Sequence, residues 1–196
     1  MRQLGKRQSS VNVRNVREEL PADECHLWIT KTASTLPDER VEFYEQLLTD
    51  DERRRYGRYM FERHRHLYLL TRALVRTTLS RYRDVAPERW RFCENEWGKP
   101  DVAEPQEAKP IHFNLSNSEG MVVCLVARDR VVGVDVEDCE RLDQPTSIAE
   151  RFFSPREVAD LRALPEDRQR ERFFAYWTLK EAYIKVRGMG LAILLN

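Results

Sequence analysis

A chain of 196 residues, 41% hydrophobic and 34% charged, is long enough to bury a substantial core beneath a heavily solvated surface. Its 33 Lys and Arg balance 33 Asp and Glu, which excludes the global positive field of a general nucleic-acid binder. No apolar run approaches membrane-spanning length, the start MRQLGKRQSSVNVRNVREEL lacks a signal-peptide core, and Cys25, Cys93, Cys124 and Cys139 show no C-x-x-C spacing, so a cytoplasmic protein with reduced thiols is expected.

The first twenty or so residues are polar and expected to fray. CHLWITKT, residues 25–32, reads as a short strand, and from Leu36 the pattern turns helical, alternating acid-rich and arginine-rich turns as far as Tyr59. FERHRHLYLLTRALVRTTLSRY then places Leu67, Leu70, Leu74 and Leu79 near one face of a long helix, with arginines largely on the other. Pro87, Pro100, Pro105 and Pro110 cut ERWRFCENEWGKPDV and AEPQEAKPIHFNLSNSEG into strands and loops. MVVCLVARD and RVVGVDVE read as a hairpin turning at Arg128-Asp129-Arg130. TSIAERFFSPREVADLRAL is helical with a break at Ser154-Pro155, which can cap and start a new helix. EDRQRERFFAYWTLKEAYIKVRG makes a second long helix, stopped by Gly188. Each half thus offers one long helix and a few strands, which predicts an α+β protein of two similar halves, 1–129 and 130–196, each with a small sheet packed on its helix.

Two short stretches carry unusual chemistry. In GVDVE, residues 133–137, strand alternation puts Asp135 and Glu137 on one side, where they repel unless a cation lies between them. In WTLKEAYIK, Glu181 and Lys185 are four apart and share a helix face. Either stretch alone is equally well a solvated strand face or a surface ion pair.

Taken in order, GVDVE, RFFSPREV and WTLKEAYIKVRGMGL, with FERHRHLYLLTRALVR, ENEWGKPDV and FNLSNSEG upstream, resemble the 4'-phosphopantetheinyl transferase superfamily over roughly residues 50–191. The likeness is to the surfactin-synthetase-activating type, whose two similar halves lie in one chain. It implies transfer of the phosphopantetheine arm of coenzyme A to a serine of an acyl or peptidyl carrier protein, with release of adenosine 3',5'-bisphosphate. Such chemistry relies on positioning and charge neutralisation, for which Mg2+ held by carboxylates and phosphates is suited.

The resemblance implies Asp135, Glu137 and Glu181 as the Mg2+ ligands, with Lys185 directed at the phosphates, and leaves open whether Glu181 is ligand, base or both. Glu157 matches a further acidic position, although an acid in the first turn after Ser154-Pro155 is also good helix chemistry. For coenzyme A it implies Arg63 at the 3'-phosphate, Lys99 of WGKP near the phosphates, and Ser116 of FNLSNS; Arg54, Arg55 and Arg58 add positive charge.

Two departures stand out. Asn117 replaces the family's histidine after that serine, keeping a hydrogen-bond donor but no charge, so a weaker grip on the pyrophosphate is expected. The chain ends at GMGLAILLN where relatives continue, so a truncated second half is expected: a strand starting at LAILLN lacks its hairpin partner. These departures keep a second reading open, a coenzyme A-binding remnant without turnover. A nucleic-acid module ranks last: Glu52 to Arg91 holds twelve arginines against four acids, but without stacking aromatics on a strand platform or a helix-turn-helix signature.

Overall fold

The computed structural model describes residues 17–32, 36–108, 110–141 and 145–189. The elements in chain order are β1 (Cys25–Lys31), α1 (Asp38–Gln46), α2 (Asp50–Gly57), α3 (Glu62–Tyr82), β2 (Arg91–Glu94), β3 (Pro100–Glu104), β4 (Ile111–Ser118), β5 (Met121–Arg128), α4 (Ala149–Phe152), α5 (Pro155–Arg162) and α6 (Glu166–Arg187). The α+β expectation holds, and no described helix is long and apolar enough to cross a membrane. The expected strand at LAILLN lies outside the described residues, and among the described residues after Arg128 none forms a strand.

Three antiparallel strands in the order β1-β5-β4 form the main sheet, and β2 pairs with β3 in a separate ribbon. The apolar stripe of α3 packs on one face of this sheet: Val75, Leu79 and Tyr82 meet Ile111, Phe113, Cys124 and Val126, with Trp90 and Val102 completing the core. By strand alternation Asn114 and Ser116 point away from that core, yet both are buried. Both faces of β4 are therefore covered, and what covers the second face is the functional interest of the fold.

Three sequence expectations need correction. Residues 17–20 are held rather than frayed, because the Glu18 amide donates to Arg81 O at 2.9 Å, its carboxylate pairs with the Arg81 guanidinium, and Leu20 is buried. The arginines of α3 are not all on the wet face: Arg76 is fully buried, lies over the Phe92 ring, and donates to Glu52 Oε2 at 2.6 Å. Glu52 also completes a capping box with Thr49 at the start of α2, so one carboxylate ties α2 to α3.

The third correction concerns the hairpin. β5 turns back on β4 through Gly120, whose φ of 87° suits only glycine well, and not on residues 131–137. At the far end of β5 the Asp129 amide donates to Pro110 O, and its left-handed φ of 60° turns the chain out of the sheet. Residues 131–137 continue without strand pairing, because side chains of β4 take their amides.

The C-terminal helices follow their cap chemistry. Ser154 and Glu157 form the capping box of α5, Pro155 occupies its first turn, and Gly188 ends α6 in the left-handed region at φ 63°. Phe153, Val158, Leu161, Phe173 and Phe174 bury one another where α4, α5 and α6 meet, which orients the long α6.

Candidate active site

The second face of β4 is covered by residues 131–137 and α6. Their close approach depends on Gly133: a Cβ there would stand 2.2 Å from Ala182 O and 2.8 Å from Val186 N, both backbone atoms of α6. With no side chain in the way, Asp135 and Glu137 come beside the Glu181 and Lys185 face of that helix.

At the centre three groups meet. Lys185 Nζ donates to Asp135 Oδ1 at 2.7 Å and to Ser116 Oγ at 2.8 Å, while the Ser116 hydroxyl donates to the same Asp135 oxygen at 2.9 Å. The Asp135 side chain is only 6% exposed, and its other oxygen, Oδ2, is buried without a hydrogen-bond partner. Glu137 is held differently, by the Trp177 indole N–H at 3.1 Å and by Arg141 at 3.2 Å. Burial and the neighbouring Asp135 charge push the Glu181 carboxyl above its ordinary range; Lys185 works against them, and Glu137 adds to the rise. Three acids from two chain segments therefore feel one another's charge.

Among the described residues, no group of three or more His, Cys, Asp or Glu side chains is arranged as a metal cage. The donor set nevertheless suits a hard divalent cation. All three carboxylates supply oxygen, their charges repel, and Asp135 Oδ2 is an orphaned acceptor that a cation would satisfy.

The remaining predicted residues are dispersed around this cluster. Lys99, between β2 and β3, reaches Val132 O at 3.3 Å and Val186 O at 3.0 Å, bridging the extended segment and the last turn of α6; burial lowers its ammonium pKa, with Asp101 opposing. It lines a cavity of about 380 Å³ with His112, Arg187 and Gly188. Asn117 is exposed and, as the residue after Ser116 in β4, points to the opposite face. Arg63 is exposed at the start of α3, its guanidinium over the Phe61 ring at 5.7 Å. Glu157 serves the α5 capping box and pairs with Lys180 at 2.8 Å. Arg55 lines a separate cavity of about 740 Å³ with Tyr68, Arg72 and Arg76, where four arginines face four acids.

Sequence reasoning did not single out Trp177, Arg141 or Asn114. A tryptophan within WTLKEA carried a signal, since a buried indole N–H needs an acceptor. Asn114 carried another, as an amide within the apolar run IHFNL.

Two family models match the chain. One, described as 4'-phosphopantetheinyl transferase, N-terminal, covers residues 37–130, and the other, described as the 4'-phosphopantetheinyl transferase superfamily, covers residues 131–196. Among curated relatives, the 4'-phosphopantetheinyl transferase HetI of a Nostoc species is 35% identical over 173 residues, 88% of this chain and 72% of that protein. The 4'-phosphopantetheinyl transferase Sfp of Bacillus subtilis is 32% identical over 161 residues, 82% of this chain and 69% of that protein. A third, the 4'-phosphopantetheinyl transferase gsp of Aneurinibacillus migulanus, is 33% identical over 154 residues, 79% of this chain and 62% of that protein.

Proposed function

Because the chain belongs to the 4'-phosphopantetheinyl transferase superfamily, we propose that it moves the 4'-phosphopantetheine group of coenzyme A to a serine of an acyl or peptidyl carrier protein, releasing adenosine 3',5'-bisphosphate. The observation that carries this reading is the meeting of Ser116, Asp135 and Lys185 beside Glu137 and Glu181. It joins a cation with three carboxylates at one place, the mixture that handling a pyrophosphate requires.

In the mechanism we infer, Lys185 offers its ammonium to the phosphate on which charge develops, and Ser116 fixes the direction of that ammonium through its hydroxyl. Glu181 takes the proton of the attacking carrier serine. Asp135, Glu137 and Glu181 would hold Mg2+, which when bound supplies charge neutralisation at the pyrophosphate. By the family pattern Lys99, Ser116, Asn117 and Arg63 bind the coenzyme; Arg63 and Asn117 are exposed, and Asn117 would reach a phosphate from the face of β4 opposite Ser116. Glu157 acts at one remove, by holding Lys180 next to Glu181 in the helix.

In this reading residues 1–129 supply the coenzyme surface and residues 130–196 the acid cluster. The exposed free thiols of Cys25, Cys93 and Cys139 suit a reducing cytoplasm. The test is the mass of an apo carrier protein incubated with the chain, coenzyme A and Mg2+. A gain of one phosphopantetheine is expected, abolished by Asp135→Ala. Coenzyme A binding by calorimetry without any mass gain would instead select a binding protein without turnover.

A further inference from the structure

We propose that Asn114 is a positioning residue for the transfer reaction, acting through Asp135 by holding the backbone amide of Val134; the inference rests on the transferase reading above. Residues 131–137 are attached through side chains. They lie over β4 without strand pairing, and every second residue gives a backbone group to a side chain. Lys99 Nζ donates to Val132 O at 3.3 Å, Val134 N–H donates to Asn114 Oδ1 at 2.9 Å, and Val136 N–H donates to Ser116 Oγ at 3.3 Å.

The spacing of these contacts fixes a register. Asn114 and Ser116 are two apart on a strand and so share a face, and the amides they accept from are also two apart. Slipping the segment by one residue would send Asp135 to the side now occupied by valines. The side-chain contacts therefore do what a sheet ladder does elsewhere, with one acceptor for each of the two amides.

Asn114 is the member whose contribution can be isolated. Ser116 also touches Asp135 and Lys185, and Lys99 also touches α6, so changing either disturbs more than the register. Asn114 is 3% exposed, its bond to Val134 is the shortest of the three, and the amide it holds immediately precedes Asp135. Its effect on chemistry must pass through the placement of that carboxylate, because a buried amide that loses its acceptor shifts to find another.

Ser116 itself indicates the informative substitution, since a serine on this face of β4 already reaches the segment. Asn114→Ala and Asn114→Ser differ by one oxygen at that reach. In the full chain, Asn114→Ala should lower kcat roughly ten- to hundredfold, as sub-ångström to ångström misplacement does, and should leave the KM for the carrier protein within about twofold. Asn114→Ser should recover most of kcat. Amide hydrogen exchange should accelerate at Val134 and not at Val136 in the alanine variant. Equal kcat for the two variants, or wild-type kcat for Asn114→Ala, would overturn the proposal. Should the wild-type chain transfer nothing to any carrier, the transferase reading fails by itself. The 13C shift of the Asp135 carboxyl then decides the positioning: moved by alanine and restored by serine, it upholds the role, and unmoved by either, it removes it.

Discussion

Gly133→Ala tests whether the approach of residues 131–137 to α6 is what assembles the acid cluster. The added Cβ would stand 2.2 Å from Ala182 O, whereas ordinary contact begins at 3.4 Å, so the two segments must separate by about 1.2 Å. Rotamer changes can relieve the contact with Val186 Cγ2 but not those with Ala182 O and Val186 N, which belong to the helix backbone. Overpacking of this kind costs about 1–3 kcal/mol, which for a chain of this size lowers Tm by roughly 2–12 °C. Ala182 lies between Glu181 and Lys185 in sequence, so the same movement lengthens the 2.7 Å contact of Lys185 with Asp135. A displacement near 1 Å at reacting groups costs on the order of a hundredfold in rate. Thermal unfolding and the initial rate of carrier-protein modification read the two effects separately. A Gly133→Ala chain with wild-type Tm and wild-type rate would refute the close-approach reasoning, and a lowered Tm with an unchanged rate would detach this contact from the chemistry.

Three further outcomes follow from particular contacts. Burial pushes the Glu157 carboxyl up, but hydrogen bonds from Lys180, the Ser154 amide and the Ser154 hydroxyl outweigh it and hold its pKa below the ordinary value. Such a depressed carboxylate contributes stability that is present above its unfolded pKa, roughly 4.3, and is lost as pH falls through the folded value; Lys180→Met should flatten that acid limb in a plot of Tm against pH. Glu52→Ala leaves the fully buried Arg76 without its partner and should cost about 3–5 kcal/mol, whereas the double change to Glu52→Leu and Arg76→Leu should cost much less in urea unfolding. Asn117→His should lower the KM for coenzyme A, and an unchanged KM would count against a contact between residue 117 and the pyrophosphate.

The elements legible in the sequence are those whose local chemistry agrees with their packing. The strand at 25–31, the long helices α3 and α6, the break at Ser154-Pro155 and the stop at Gly188 all follow from periodicity and caps, and the structure adds only which residues of each stripe are deepest. The ordered motifs also led to Ser116, Asp135 and Lys185, which lie in mutual hydrogen-bond contact. Residues 131–137 defeated the same reasoning for a physical reason. Alternating valines and acids read as a strand, but alternation reports only which side each residue faces, not what its amide meets. Here the amides of Val134 and Val136 meet side-chain oxygens, and those acceptors lie twenty residues earlier in β4. Arg76 is the converse case: its position in an arginine-rich helix suggests a wet face, and the Glu52 carboxylate from α2 and the Phe92 ring from β2 make its burial tolerable. In both cases the deciding partners are side chains on a different element. Binary pattern specifies faces, and it is polar side chains reaching across those faces that fix where a carboxylate such as Asp135 finally stands.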